Sequence, residues 1–343
     1  MSEETRQERI LVVRHRYLGD TVLSIPALRN LRKANPTAHI DVLVEPISGD
    51  VLKNCPYIDG LLYARMHKPK KPNPAVPVGL LAISRMLRTR KYDRAYVLRR
   101  AFSAALLPLL AGIPQRIGFS FGGAWLLHSR SAPFRNRHEV ECFLDVLGAD
   151  GIDISDTKNE NWTTPGEDAL VASLLPQTGR RRAYLFAKST VDWKDWSLEN
   201  FAAVCTYLIT KLGYEIHACD APANAPYYAG IAALLPENCK AHFKDWSQRL
   251  SLVESGALIK TCTLALGVDT GLMHIAASFG VPVVALFGSP DPVRWHPWGV
   301  AHRILRPTNC KVDRPLLAVS PIEVIEAVNS LEAEISIKAS STV

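Results

Sequence analysis

The chain has 343 residues, of which 48% are hydrophobic, so its length favours two domains with sizeable cores. Its seven cysteines are scattered without a CxxC pair or metal-ligand spacing, which favours reduced thiols in a cytosolic protein and argues against a metal site. The net charge of +7 indicates an anionic partner, and the basic residues lack the interleaved aromatics that a nucleic-acid surface needs.

The first half of the chain alternates strand and helix patterns. Apolar runs predict strands at 9–13, 39–44, 58–63, 92–98 and 116–118, and apolar spacing predicts helices at 21–33, 78–90, 103–111 and 139–147. We expect Asp20 to be the N-cap of the first helix, directly after Gly19, and Pro26 to be tolerated early in that helix. The proline-rich segment HKPKKPNPAVP, at 67–77, predicts an exposed cationic loop.

A second series follows a polar connection between 148 and 182, in which 169–175 is predicted to be helical. Strands are predicted at 184–186, 215–218, 263–268 and 281–287, and helices at 198–212, 227–235, 252–260, 272–279 and 322–335. Two α/β halves of similar size predict two Rossmann-like domains facing across a cleft. We expect the ligand at the carboxyl ends of the strands.

The segment TCTLALGVDTGLMHIAASFGVPVVALFG, at 261–288, is the most informative strand–helix–strand unit. Its turn consists of Asp269, Thr270 and Gly271, at a predicted helix N-terminus that favours an anion. Capping of the helix by Asp269 and Thr270 is expected in any case. His274 follows one turn later at the same end of the helix, which favours a functional interpretation.

Three further turns carry polar residues. Asp20 can accept a proton as a general base, or serve only as an N-cap. The segment KSTVDWKDW, at 188–196, offers hydroxyls and an ammonium that suit a diphosphate, although a lysine among aromatics is also typical of a protein surface. The turn GSPDP, at 288–292, lines the same edge, with a proline-fixed loop as the simpler interpretation. The absence of GxGxxG after the first strand argues against a nicotinamide enzyme, and the absence of GxSxG argues against a serine hydrolase.

Four segments in this order resemble glycosyltransferase family 9, the lipopolysaccharide heptosyltransferases. ILVVRHRYLGDTVLSIPALRNLRKANPTAHIDVLV is similar to the family's opening segment, and LAGIPQRIGFSFG to its Ala-Gly-x-Pro-x-Arg-Ile-Gly segment. KSTVDWKDWSLENF resembles its central Lys-x-Trp segment, and LALGVDTGLMHIAASFGVPVVALFGSPDPVRWHPWG its donor-binding segment. The resemblance extends from residue 10 to about residue 298.

This resemblance implies a GT-B fold. Residues 1–165 would bind the acceptor, residues 166–320 would bind the nucleotide-sugar, and residues 321–343 would form a helix that returns to the first domain, followed by a tail. It also implies inverting transfer from an ADP-heptose-like donor without a cofactor or a bound metal. Asp20 would be the general base, and Lys194 would neutralise the leaving diphosphate. The remaining donor-binding positions would be Ser189, Thr190, Asp269, Thr270, Gly271, Leu272 and His274.

The acceptor implied by the resemblance is an anionic glycolipid, the lipopolysaccharide inner core. Gly19, Lys68, Lys70 and Lys71 are the candidate acceptor residues. We expect a cytoplasmic protein with peripheral contact to the inner face of the inner membrane and no nucleic-acid partner. Family members also use protein or small-molecule acceptors, so these remain alternatives.

A second set of alternatives concerns the donor. Where the family often has an acidic residue that contacts the donor's ribose, this chain has Asp220 and Asn224, so another nucleotide-sugar is an alternative. A non-catalytic nucleotide-binding relative is disfavoured, because Asp20, Lys194 and Asp269 are all present.

Overall fold

The computed structural model describes residues 6–14, 16–69 and 73–340. The chain divides into two compact units, Met1–Asn159 and Glu160–Val343. This division falls close to the boundary expected from sequence, within the polar segment between 148 and 182.

The first unit is a six-stranded parallel sheet in the order β3-β2-β1-β4-β5-β6. Its central strands are nearly continuous apolar runs, because helices cover both faces of such a sheet. The strands are β1 (Arg9–Val13), β2 (His39–Val44), β3 (Gly60–Tyr63), β4 (Arg94–Val97), β5 (Gln115–Phe119) and β6 (Arg130–Ala132). The helices are α1 (Leu18–Leu23), α2 (Ile25–Ala34), α3 (Pro46–Gly49), α4 (Leu80–Arg88), α5 (Phe102–Leu110) and α6 (Glu139–Gly148).

One predicted helix of the first unit is two helices. The prediction of a single helix at 21–33 is wrong, because α1 ends and α2 begins on either side of Ser24. Pro26 occupies the first turn of α2 and has no N–H to bond to the carbonyl of Val22. The helix is therefore interrupted just before Pro26, which places this proline in the first turn of a new helix, where it is tolerated.

The second unit is also a six-stranded parallel sheet, in the order β12-β11-β10-β7-β8-β9. Its strands are β7 (Arg181–Phe186), β8 (Tyr214–Ala218), β9 (Phe243–Asp245), β10 (Leu264–Val268), β11 (Val283–Leu286) and β12 (His302–Leu305). Its helices are α7 (Pro165–Leu174), α8 (Leu198–Thr210), α9 (Ala225–Leu234), α10 (Glu237–Lys240), α11 (Leu252–Lys260), α12 (Gly271–Ser278), α13 (Pro292–Trp295) and α14 (Pro321–Ser340).

Strand β10 is central in this sheet and pairs with β7 on one side and β11 on the other. Gly267 lies opposite Phe186 in the register of β10 and β7. A Cβ atom on Gly267 would lie 2.0 Å from the Phe186 carbonyl oxygen, so this position admits only glycine. The close approach brings together the turns that follow the two strands.

The final helix, α14, packs against α8, β11 and β12. Its apolar residues Val324, Val328 and Leu331 are fully buried in the core of the second unit. These contacts account for the apolar face of the helix. The return of this helix to the first domain remains a prediction. Within the described part of the chain, no helix combines the length and apolarity needed to cross a bilayer.

Candidate active site

The turn between β10 and α12 contains an uncapped helix N-terminus. Thr270 is the N-cap residue, yet its side chain accepts no hydrogen bond from the first turn of α12. The expectation that Asp269 and Thr270 cap this helix is therefore wrong. The hydroxyl of Thr270 is instead buried without a hydrogen-bond partner. Gly271 and Leu272 open the helix, so their N–H groups belong to the first turn, which has no intrahelical acceptor. An anion is the natural ligand for such a terminus.

Lys194 and Asp269 bring two of the predicted donor segments together. The Lys194 ammonium donates to Oδ2 of Asp269 at 2.8 Å. Lys194 closes the 3-10 turn Asp192–Lys194, and its ammonium lies 5.6 Å from the centroid of the Trp193 ring. Both partners are only partly buried, so the ammonium and carboxylate remain accessible to a ligand.

The loop that carries Lys194 is stabilised by a second lysine. Lys188 forms ion pairs with Asp192 and Asp195. Burial opposes the charge of Lys188, but hydrogen bonds to these carboxylates raise its pKa above the ordinary value. Asp195 also accepts a hydrogen bond from the N–H of Ser189 at 2.9 Å. Sequence reasoning did not assign this role to Lys188, whose position four and seven residues before the two aspartates was the available signal.

The two predicted hydroxyls of this loop differ in accessibility. Ser189 is buried, and its hydroxyl accepts a bond from the N–H of Val191 at 3.4 Å, whereas Thr190 is exposed. Trp196 anchors the end of the loop: it is fully buried and donates to the carbonyl of Val319 at 2.9 Å. The loop is therefore anchored by its buried residues, while Lys194 and Thr190 remain at least partly exposed.

His274 lies in α12 and is almost fully buried. Burial lowers its pKa to about 3, and the positive fields of His296 and Lys194 act in the same direction. Its Nδ1 atom is buried without a hydrogen-bond partner. At neutral pH, His274 is thus an uncharged imidazole that can exchange hydrogen bonds but supplies no positive charge.

Asp220 follows β8, the strand next to β7 in the sheet. Burial raises the pKa of its carboxyl group. One oxygen accepts from the Tyr228 hydroxyl at 3.0 Å, and the other from the N–H of Ala221 at 2.7 Å. The side chain of Asp220 is therefore committed to contacts within the protein, unlike that of Lys194.

On the other side of the site, the carboxyl ends of β11 and β12 border a cavity of about 1160 Å³. Its lining residues include Trp193, Ser289, Arg306, Asn309, Cys310 and Lys311. The predicted residues Asp269 to His274 do not line it, and Trp193 connects it to the loop of Lys194. Ser289 therefore lies at the same edge of the sheet as the donor segments, as the sequence predicted.

In the first unit, Asp20 does not cap a helix. It lies in the first turn of α1, after Gly19, and Tyr17 occupies the N-cap position with a φ of 67°. The predicted N-cap role is therefore wrong, because the helix begins earlier than the apolar spacing indicates. The carboxylate of Asp20 instead forms an ion pair with the guanidinium of Arg14.

Arg14 directly follows β1 and is buried. Its guanidinium also donates to the Leu98 carbonyl at 3.2 Å and lies 5.2 Å from the centroid of the Phe143 ring. Burial lowers the pKa of Arg14 to about 9, which leaves it charged at neutral pH. Sequence reasoning missed this residue, although an arginine immediately after a central buried strand was a usable signal.

The predicted acceptor lysines are Lys68, Lys70 and Lys71. Lys68 is exposed, as expected for the cationic loop, and Lys70 and Lys71 lie outside the described residues. Over residues 6–14, 16–69 and 73–340, no group of three or more His, Cys, Asp or Glu side chains could hold a metal ion. Independence from metals stays a prediction.

Comparisons with known proteins identify the family of this chain. The model of glycosyltransferase family 9 (heptosyltransferase) matches residues 80–315. The chain is 28% identical over 293 residues to lipopolysaccharide heptosyltransferase 3 of Escherichia coli K12, covering 82% of this chain and 83% of the relative. It is 25% identical over 359 residues to lipopolysaccharide heptosyltransferase 2 of Salmonella typhimurium LT2, covering 95% and 99%.

Two solved structures share the fold. The E. coli ADP-heptose lps heptosyltransferase II superposes with a TM-score of 0.78 at 24% identity, covering 96% of this chain and 99% of that one. A family 9 glycosyltransferase from Veillonella parvula gives a TM-score of 0.80 at 22% identity, covering 95% and 97%. The two α/β units therefore form a GT-B fold. Since the family model spans more than half of the chain, this protein belongs to glycosyltransferase family 9, the heptosyltransferase family, and is a glycosyltransferase.

Proposed function

We propose that the protein transfers a heptose, with inversion, from an ADP-heptose-like donor to a hydroxyl group of the lipopolysaccharide inner core. The observation that carries the proposal is the uncapped N-terminus of α12 beside the Lys194–Asp269 ion pair. A diphosphate bound there would meet backbone N–H groups and an ammonium. The names of the relatives, which include an ADP-heptose lps heptosyltransferase, supply the choice of sugar and nucleotide.

The proposed chemistry is a single displacement. Breaking the bond between the anomeric carbon and the diphosphate leaves negative charge on the diphosphate oxygens, which Lys194 and the N–H groups of Thr270 to Leu272 stabilise. Asp269 would hold sugar hydroxyls, and Ser189 and Thr190 would add hydrogen bonds to the phosphates. His274, as a neutral imidazole, would orient a donor group rather than neutralise charge.

The proton of the attacking hydroxyl would pass to Asp20. Asp20 forms an ion pair with the Arg14 guanidinium, and a carboxylate is the form of this side chain that can accept a proton. Because attack on the anomeric carbon occurs opposite the leaving diphosphate, one displacement inverts its configuration. This assignment requires no metal or other cofactor.

The proposed acceptor is an anionic glycolipid at the cytoplasmic face of the inner membrane, where the protein would bind peripherally. Gly19 and the exposed Lys68 are the described residues that we assign to acceptor binding. The chain's net charge of +7 suits a phosphorylated or carboxylated core oligosaccharide.

A thermal-shift panel with ADP-heptose, ADP, UDP-sugars and GDP-sugars tests the donor, and mass spectrometry of an inner-core acceptor tests transfer. We expect stabilisation by ADP-heptose and ADP alone, and an acceptor heavier by one heptose. Stabilisation by UDP-sugars alone would overturn the donor. Stabilisation by ADP-heptose with transfer to a peptide or a small molecule, and none to the core, would overturn the acceptor.

A further inference from the structure

Helix α5 of the first unit is apolar on its buried face and also on its exposed face. Its sequence, FSAALLPLL, contains one polar residue, Ser103. Ala104, Leu107 and Pro108 are buried against the sheet. Phe102, Leu106 and Leu109 recur at positions i, i+4 and i+7 and therefore share another face, on which Phe102 is 50% and Leu109 38% exposed. A helix that is apolar all round is normally covered on every side.

The exposed face of α5 continues into a neighbouring turn. The 3-10 turn Ala124–Leu127 packs against α5, and its Trp125 and Leu126 are 56% and 69% exposed. The guanidinium of Arg116 donates to the carbonyl of Leu127 at 2.7 Å and so supports the base of the turn. We call Phe102, Leu106, Leu109, Trp125 and Leu126 the α5 surface. Exposed apolar side chains on two elements that pack together mark a candidate interaction site.

Cations border the α5 surface. Arg88 of α4 donates to the carbonyl of Leu110 at 2.6 Å, at the end of α5. Arg85 lies one turn earlier on the exposed face of α4. Among the described residues, Arg85 and Arg88 are exposed and have no carboxylate partner within ion-pair distance. These charges are therefore available to an external anionic surface.

The sequence around the α5 surface is strongly and locally basic. Residues 64–138 contain fifteen Lys and Arg residues but only one acidic residue, Asp93, a net charge of +14. Since the whole chain carries +7, the remaining 268 residues carry a net charge of −7. Six of the fifteen cations pair with carboxylates from outside the segment, namely Arg65, Arg90, Arg94, Arg100, Arg130 and Arg137. The other nine still outnumber the segment's one acidic residue, so an excess of positive charge lies in the segment that also holds the exposed apolar face. Cations around exposed apolar side chains complement an anionic bilayer, which offers phosphates above and hydrocarbon below.

We propose that the α5 surface docks on an anionic lipid bilayer, with Phe102, Trp125 and Leu126 inserted at the interface and Arg85 and Arg88 among the headgroups. This inference rests on the proposed function, since a glycolipid acceptor is embedded in a membrane. It adds the surface by which the enzyme reaches that membrane. It concerns binding to bulk lipid and does not require the predicted acceptor lysines.

Vesicle flotation of the full chain tests the proposal, using phosphatidylcholine vesicles with or without phosphatidylglycerol. We expect the wild type to float with the anionic vesicles, and high salt to weaken this binding. Joint substitution Trp125→Ser and Leu126→Ser should lower the bound fraction at least tenfold. Leu234→Ser, which changes an exposed leucine of the second unit, is the matched control and should leave binding unchanged.

Charge is tested separately. Arg85→Glu should weaken binding to anionic vesicles by roughly fivefold or more, since each cation near a charged bilayer contributes about that factor. Lys211→Glu changes the net charge equally on an exposed site of the second unit and should have a smaller effect. Equal effects of the two substitutions would mean that net charge alone governs binding, which would overturn the assigned surface.

Four other outcomes discriminate further. Flotation of the Trp125/Leu126 variant at the wild-type level would overturn the proposal. So would concentration-dependent dimerisation that this variant abolishes, because the surface would then bind a second copy. Absence of vesicle binding with intact transfer to a deacylated, water-soluble acceptor would overturn the membrane surface and leave the proposed function standing. Vesicle binding without any transfer would count against the proposed function and leave the surface intact.

Discussion

The Lys194 ammonium and the Asp269 carboxylate lie 2.8 Å apart, although 75 positions separate them in the chain. The loops after β7 and β10 supply one partner each, and the pairing of these strands brings the loops together. Because both side chains are partly exposed, we attribute the pair to ligand binding rather than to stability.

Lys194→Ala should lower the affinity for ADP at least tenfold, because it removes a charged hydrogen-bond donor worth about 1.5–3 kcal/mol. The melting temperature of the Lys194→Ala variant should change little. Isothermal titration calorimetry with Lys194→Ala, Asp269→Asn and the double variant measures how strongly the two side chains depend on each other in ADP binding. We expect a coupling free energy of about 0.5–3 kcal/mol. Strictly additive losses would show that the two side chains act independently, and Lys211→Ala serves as the exposed control.

Thr270→Val should separate stability from binding. The Thr270 hydroxyl is buried without a partner, so valine removes a polar group whose burial costs about 1–3 kcal/mol and loses no hydrogen bond. We expect an unchanged or higher melting temperature and an unchanged ADP affinity, because valine keeps the backbone N–H that the proposal assigns to the phosphates. Thr261→Val is the contrasting control, because its hydroxyl donates to the Leu258 carbonyl at 2.8 Å. That variant should lose a little stability and retain its ADP affinity.

The sequence was sufficient for the order of the main elements and for the turns that form the site. Long apolar runs, such as β1 and β10, are buried on both faces and therefore have a strong pattern. The short strands β6, β9 and β12 were not predicted. Each has three or four residues at or near a sheet edge, where pairing with a neighbour rather than apolar content determines the structure.

Within the site, the sequence mispredicted the hydrogen-bond partners of side chains that can bond either to a nearby backbone group or to a residue distant in the chain. Asp20 and Thr270 have the residue types of helix caps, but neither makes a cap bond. Asp20 pairs with Arg14, and Asp269 pairs with Lys194, because tertiary contacts offer these carboxylates a cation. In these ion pairs both partners are charged, whereas a cap bond from a backbone N–H would have only a charged acceptor.

Gly267→Ala should disrupt the second unit. The added Cβ would lie 2.0 Å from the Phe186 carbonyl oxygen, so β7 and β10 would have to separate. We expect a loss of several kcal/mol in the free energy of unfolding, or failure to fold, and loss of ADP binding by any folded fraction. Gly166→Ala is the matched control, since its nearest neighbour would be 3.9 Å away. Chemical denaturation compares the two, and equal stability would contradict the close approach of the strands.

His274 should make the protein less stable in mild acid. Its pKa is about 3 in the folded protein and 6.5 when unperturbed, so in this window the unfolded state binds a proton that the folded state does not. Stability therefore falls as the pH decreases from 6.5 towards 3, by up to about 1.4 kcal/mol for each pH unit. Melting temperatures of His274→Gln should depend less steeply on pH than those of the wild type. Equal pH dependence of the two melting temperatures would contradict this assignment to His274.

Asp20→Asn tests the proposed base without removing the side chain from Arg14. The asparagine carbonyl can still accept from the guanidinium, so we expect a stability loss of only about 1–2 kcal/mol. Transfer should fall at least about a hundredfold, because the amide cannot take the acceptor's proton. ADP affinity should stay the same, since Asp20 lies outside the donor residues.

Asp20→Ala gives the contrast that separates catalysis from folding. It removes the ion-pair partner of the buried Arg14 and leaves no acceptor in its place, although the field of Glu139 still favours the Arg14 charge. This variant should therefore be less stable than Asp20→Asn, which keeps an acceptor for the guanidinium. If both variants lose transfer equally but differ in stability, the loss of rate comes from the missing base. If Asp20→Asn keeps the wild-type turnover rate, Asp20 is not the base, and its role is to neutralise Arg14.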